Sequence, residues 1–340
     1  MTTRNRSRLR CALVALVALL GVQTPLAAAE ANAASWSRQP SLQTARGLHG
    51  VAEVGGRIFV FGGYDPGSDR ILGSVEVRPA RPGGAWRYST PEPSPRANAA
   101  AAELRGFVYL VGGEQGEDGE LTDVVDRFDP RSGTWSPSVP LPGVRTAAGV
   151  ASLNGLLYVA GGFVAGDKAT GSVVVFDPVR RTWRSVAPMP TPRARLKMVT
   201  VDGRLYAVGG LTTEGDSLST VERYDPASDR WSTVASLAEQ RVQPGVVAVE
   251  HHGRTVVAAV GGARTKGADV LAFLRSTEIF DPRTGRWQTL KALLPVGKAG
   301  LACAVQADGA VLAIGGAVLL AGGRGATADV YALKLADHHR

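Results

Sequence analysis

Six cations recur at one place in the chain. Arg46, Arg96, Arg145 and Arg193 each stand 16 residues before a Gly-Gly pair, Arg241 stands 20 before its pair, and Lys298 stands 17 before. Guanidinium forks suit carboxylates and phosphates, and a ring of such groups focuses positive potential at one mouth. Just past two of the Gly-Gly pairs come Tyr64 and Phe163, aromatics able to stack a sugar or clamp a peptide beside the arginines. These eight residues form the candidate ligand-binding rim. The competing reading is structural: each cation pairs with backbone carbonyls or nearby acids, and recurs because its unit recurs. The loops after the Gly-Gly pairs carry Asp65, Asp69, Glu114, Glu117, Asp118, Glu120, Asp167, Glu214 and Asp216, acids that would take up much of the arginine charge.

Other chemistry finds little support. No Ser/His/Asp order, Gly-rich phosphate loop or zinc spacing is present, and no catalytic residue, metal site or cofactor is expected. The acidic run Glu114 to Glu120 lacks calcium-loop spacing and reads as a solvated loop. Cys303 aligns with Val51, Ala101, Val150, Met198 and Val246 in the other units, so it reads as a small core residue.

The elements that position the cations follow from the repeat. The pairs Gly62-Gly63, Gly112-Gly113, Gly161-Gly162, Gly209-Gly210, Gly261-Gly262 and Gly315-Gly316 are spaced by 50, 49, 48, 52 and 54 residues. Trp36, Trp86, Trp135, Trp183, Trp231 and Trp287 are spaced by 50, 49, 48, 48 and 56. Each unit reads strand, turn, apolar strand ending in Gly-Gly, loop, strand, Asp-Pro turn, Trp strand. Pro and Gly shape the turn, and Asp bonds its own downstream amides. The second strands, such as Ile58 to Phe61, are continuously apolar, which predicts that both faces are covered. Trp36 precedes every Gly-Gly pair, and no Trp follows the last pair. The two termini are therefore expected to share the sixth blade, residues from about 298 to 337 with 34 to 42, which hides the sheet edges.

Gly-Gly, Asp-Pro and Trp recurring in register at this period resemble the kelch-repeat family, in its exported bacterial form, over residues 34 to 337. The resemblance implies an all-β, six-bladed kelch β-propeller with four antiparallel strands per blade. It also implies that arginines at this motif position hold acidic partner peptides, and that Tyr64 lines the ligand mouth. Blade one departs from the pattern, with Arg78-Pro-Ala-Arg-Pro-Gly-Gly84 in place of the Asp-Pro turn. Blade five has a longer first hairpin, and Gly322-Gly323 reads as loop. A copper-radical oxidase on a similar ring needs two His on the rim face. His251-His252 fall on the opposite face and His338-His339 in the tail at 338–340, leaving His49 alone.

Arg4, Arg6, Arg8 and Arg10 precede an apolar run from Cys11 to Val22 and Ala-x-Ala sites ending at Ala29 or Ala33. This is the layout of a secretory signal peptide over residues 1 to 33. Without those four Arg the formal charge falls from +8 to 38 − 4 − 30 = +4, too diffuse for nucleic acid. The expectation is an exported monomer, secreted or in the periplasm or cell envelope, with no membrane span after cleavage. Its expected role is non-catalytic binding or scaffolding of a protein, an anionic carbohydrate or an acidic peptide. Two alternatives stay open: a mutarotase- or epimerase-like ring acting on an acidic sugar, with Glu114 or His49 moving the proton, and a purely architectural ring.

Overall fold

Each apolar strand pair that ends in Gly-Gly forms the inner half of a blade. The computed structural model describes residues 34–116, 118–320 and 323–335. Among them are six four-stranded antiparallel sheets and no helix. Blade one runs Gly50–Val54, Arg57–Phe61, Val75–Pro79 and Arg87–Tyr88 from the axis outward. Blade four repeats it with Lys197–Val201, Arg204–Val208, Val221–Asp225 and Arg230–Val234. The second strands are buried almost throughout, because neighbouring blades cover both faces.

The termini share blade six. Ser37–Gln39 pairs with Val330–Leu333 in the register Ser37 to Ala332 and Gln39 to Val330. The inner strands of that blade are Ala302–Val305 and Val311–Ile314. The segment read as a signal peptide and the tail at 338–340 lie outside the described residues.

Two rings of backbone hydrogen bonds stitch the blades together. In the first, the second glycine of each pair donates to the carbonyl of the next blade's cation: Gly63 to Arg96, Gly113 to Arg145, Gly162 to Arg193, Gly210 to Arg241, Gly262 to Lys298 and Gly316 to Arg46, at 2.7–2.9 Å. The glycines are required by this approach. A Cβ on Gly112 would lie 2.1 Å from the Arg145 carbonyl oxygen, and φ there is +57°. The second ring circles the axis. Asn98 donates to Leu48, Ala147 to Asn98, Arg195 to Ala147, Gln243 to Arg195, Gly300 to Gln243 and Leu48 to Gly300, at 2.8–3.1 Å. All six residues have φ between +51° and +62°. Farther out, the indole N–H groups of Trp86, Trp135, Trp183, Trp231 and Trp287 donate to carbonyls of the preceding blade.

The irregular units have local causes. In blade one the Arg78 guanidinium stacks over Trp86 at 5.6 Å and donates to Arg81, holding the turn that lacks Asp-Pro. Blade five lengthens its first hairpin to Gly245–His251 and Arg254–Val260. Gly323, expected in a loop, instead opens the strand Gly323–Ala326, which pairs with Ala317–Leu320.

Candidate functional site

The six cations are not a ligand-facing rim. Arg46, Arg193 and Arg241 are fully buried, and Arg96, Arg145 and Lys298 are at most 8% exposed. Arg46 donates to the carbonyls of Gly62 and Ser74 and to Glu76, each at 2.8 Å. Arg193 donates to Gly209 and Thr220 and lies 2.8 Å from Glu222. Arg241 donates to Gly261, Ser276 and Glu278, and Arg96 pairs with Asp126 at 2.6 Å. Lys298 donates to the Asp329 carbonyl and lies over the Tyr331 ring. Each arginine therefore ties its own Gly-Gly end to the start of its third strand, and Lys298 is held at the start of its own third strand. Burial pulls Arg46, Arg96 and Arg193 below the usual guanidinium pKa and brings Lys298 down to about 8.

The partners are not the acidic loop residues named above. They are the second residues of the third strands: Glu76, Asp126, Glu222 and Glu278. Glu76 also accepts from the amides of Gln43 and Thr44, and Glu278 from those of Ala238 and Glu239. The acid recurring after Val75, Val125, Val221 and Thr277 was a readable signal for this clamp. Blade three lacks it, because Val174 stands at that position. Arg145 accordingly has no carboxylate partner among the described residues, and burial brings it down to about 10.

The two aromatics are also committed. Tyr64 is half-buried, and its hydroxyl donates to Asp69, which raises its pKa. Phe163 packs on a small cluster containing Ala194, Leu211, Val242, Ala263 and Ala299 under the mouth hairpins. His49 is buried. Cys303 is buried in the first strand of blade six, and burial pushes its thiol up to about 12. No group of three or more metal-ligating side chains occurs among the described residues.

The groups that do face the axis stand two residues after the cations. Leu48, Asn98, Ala147, Arg195, Gln243 and Gly300 ring a narrow opening, which His49 and Lys197 also line. Asn98 donates to the Glu114 carboxylate at 3.1 and 3.2 Å, and Thr146 donates to it at 3.0 Å. Gln243 donates to the Asn98 side chain at 3.3 Å. The Arg195 guanidinium makes no hydrogen bond or ion pair with a described residue; burial lowers its pKa and the field of Glu114 opposes that. Arg195 is thus an unpaired cation presented to this mouth. Aligning the units two positions past each arginine would have singled it out.

Comparisons agree with this architecture. The KLHDC2/KLHL20/DRC7 Kelch-repeats domain matches residues 98–323, and the Kelch motif matches residues 45–77. A stretch of 100 residues, 28% of this chain, is 34% identical to beta-scruin of Limulus polyphemus but spans 11% of that protein. Kelch-like protein 35 of Mus musculus is 35% identical over 97 residues, 28% of this chain and 16% of its own length. The solved structure of YjhT superposes with a TM-score of 0.74 at 16% identity, covering 88% of this chain and 98% of that one. With a repeats-domain match over more than half its length and six blades in register, the chain belongs to the kelch-repeat family.

Proposed function

We propose that the chain is an exported, non-catalytic binding ring that takes an anionic group of its ligand at the axial mouth. The observation that carries this reading is Arg195. It lines the opening, pairs with no carboxylate among the described residues, and stands among hydrogen-bonding side chains from other blades. An Arg fork in a partly desolvated mouth gains more from a carboxylate than it would in bulk water. Export rests on the leader-like layout of residues 1 to 33 and is checked by fractionation and N-terminal sequencing of the mature chain.

The test of binding is a thermal-shift screen with anionic sugars, neutral sugars and acidic peptides. A ligand at 100 times its Kd stabilises by about 2.7 kcal/mol. A shift confined to anionic ligands and lost in Arg195→Gln supports the reading. No shift with any of them favours the architectural ring, in which the cations serve only the blades.

One observation favours a carbohydrate-active alternative: the Glu114 carboxylate sits at the same mouth as Arg195, held by Asn98 and Thr146. A carboxylate beside an Arg is the pair that would move a proton on an acidic sugar. Mutarotation followed by NMR, in wild type and Glu114→Gln, decides between binding and turnover.

A further inference from the structure

Two departures from the repeat meet in the axial channel. The first strands open with Gly50, Ala100, Gly149, Lys197, Gly245 and Ala302. Five of these are Gly or Ala, and the sixth carries an ammonium. One position earlier, Ala99, Ala148, Leu196, Pro244 and Leu301 are all apolar, while blade one has His49. Lys197 and His49 line the same opening.

Neither group has a partner of opposite charge. Lys197 makes no hydrogen bond or ion pair with a described residue, and burial lowers its pKa; only the Cys303 thiol opposes that shift, and that thiol is itself held neutral by burial. His49 is 2% exposed, and both ring nitrogens are buried without a hydrogen-bond partner. Burial and the nearby Arg46, Lys197 and Lys298 hold it well below the ordinary imidazole pKa, so it is a neutral ring with one N–H to donate. The buried His49 N–H without an acceptor is costly, and the half-buried Lys197 ammonium carries an unmatched charge into the same opening. An acceptor bearing negative charge would satisfy both.

We propose that this opening binds a compact monoanion, a halide or a carboxylate group, held by the Lys197 ammonium and the His49 N–H beneath the Asn98–Gln243 bridge. One ammonium matches one negative charge, and both groups line the opening at the axis. The site needs no larger ligand at the mouth.

Thermal-shift titrations of the full chain test it, exchanging sodium bromide or sodium formate for a bulky aryl sulfonate at constant ionic strength. The expected result is a saturable rise in Tm with one anion or both, distinguishing halide from carboxylate. Lys197→Ala, which restores the residue type found at Ala100 and Ala302, abolishes the rise. His49→Leu, the residue type found at Leu196 and Leu301, weakens half-saturation about tenfold, the loss of roughly one charge-assisted hydrogen bond. Crystals grown in bromide show an anomalous peak between the two side chains. A non-saturating response equal in wild type and Lys197→Ala, or bromide found only elsewhere, overturns the proposal. A bromide response kept in Arg195→Gln while sugar or peptide binding is lost separates this site from the mouth.

Discussion

The Gln243 and Asn98 side chains meet across the axis, with Gln243 Nε2 3.3 Å from Asn98 Oδ1, although 145 positions separate them. They belong to blades five and two, on opposite sides of the ring. Their amides also belong to the backbone circle that joins all six blades. The bridge thus spans the mouth that the circle surrounds. Gln243→Ala removes one neutral side-chain hydrogen bond and should cost about 0.5–1.5 kcal/mol. Hydrogen exchange at the amides of Asn98 and Gln243 should quicken while outer-strand amides keep their rates. Unchanged exchange there would show that the bridge holds nothing in place.

The buried clamps should dominate stability. Removing one partner of such a pair leaves an uncompensated charge and costs about 3–5 kcal/mol. Arg193→Met is expected to fall in that range by urea denaturation, and the double variant Arg193→Met/Glu222→Leu to recover part of the loss. A single variant costing under about 1 kcal/mol would contradict burial of this pair.

Blade three offers the reverse experiment. Arg145 lacks the acid its arginine counterparts have, and Val174 occupies the acid's place. Val174→Glu should be tolerated in the wild type but strongly destabilising beside Arg145→Met. The double-mutant cycle should show a favourable coupling of about 1–3 kcal/mol. Zero coupling would mean that the introduced carboxylate turns away from Arg145.

Glu92 carries a pH signature. It stands where the other units bury Leu42, Leu141, Met189, Leu237 and Leu294, and both its carboxylate oxygens are buried without partners. Burial pushes its pKa up to about 8, against the pull of Arg96 and Arg46. The folded state therefore keeps a proton that the unfolded chain loses above the ordinary carboxylate range near 4.5. This contribution to stability is full below that range and declines as pH rises toward 8. Glu92→Leu should be more stable than wild type by a few kcal/mol at pH 8.5, with the gap closing toward pH 5. A gap that does not vary with pH would rule out the protonated buried acid.

Glycine substitutions separate strain from collision. Gly112→Ala must accommodate both a positive φ and the Arg145 carbonyl, whereas a Cβ added to Gly116, at φ +73°, would meet nothing within 4 Å. Gly116→Ala should cost about 1–2 kcal/mol, and Gly112→Ala should cost more and broaden the unfolding transition. Equal costs would mean that the blade junction yields easily.

Much of the ring is legible in the chain itself, because its signals are local. Gly-Gly marks positive φ at a close approach, Asp-Pro marks a turn, and Trp marks the outer strand. Their count and the misplaced Trp36 imply six blades and a shared sixth. The cations are legible as a repeat but not as buried clamps. Whether an arginine faces solvent or its own blade depends on an acid about 30 residues onward and on the next blade packing over it. Arg195, Lys197 and His49 each break the pattern in the sequence, but they lie in blades four and one. Only closure of the ring brings those breaks to one axis, because a channel is a property of all six blades and of no single repeat.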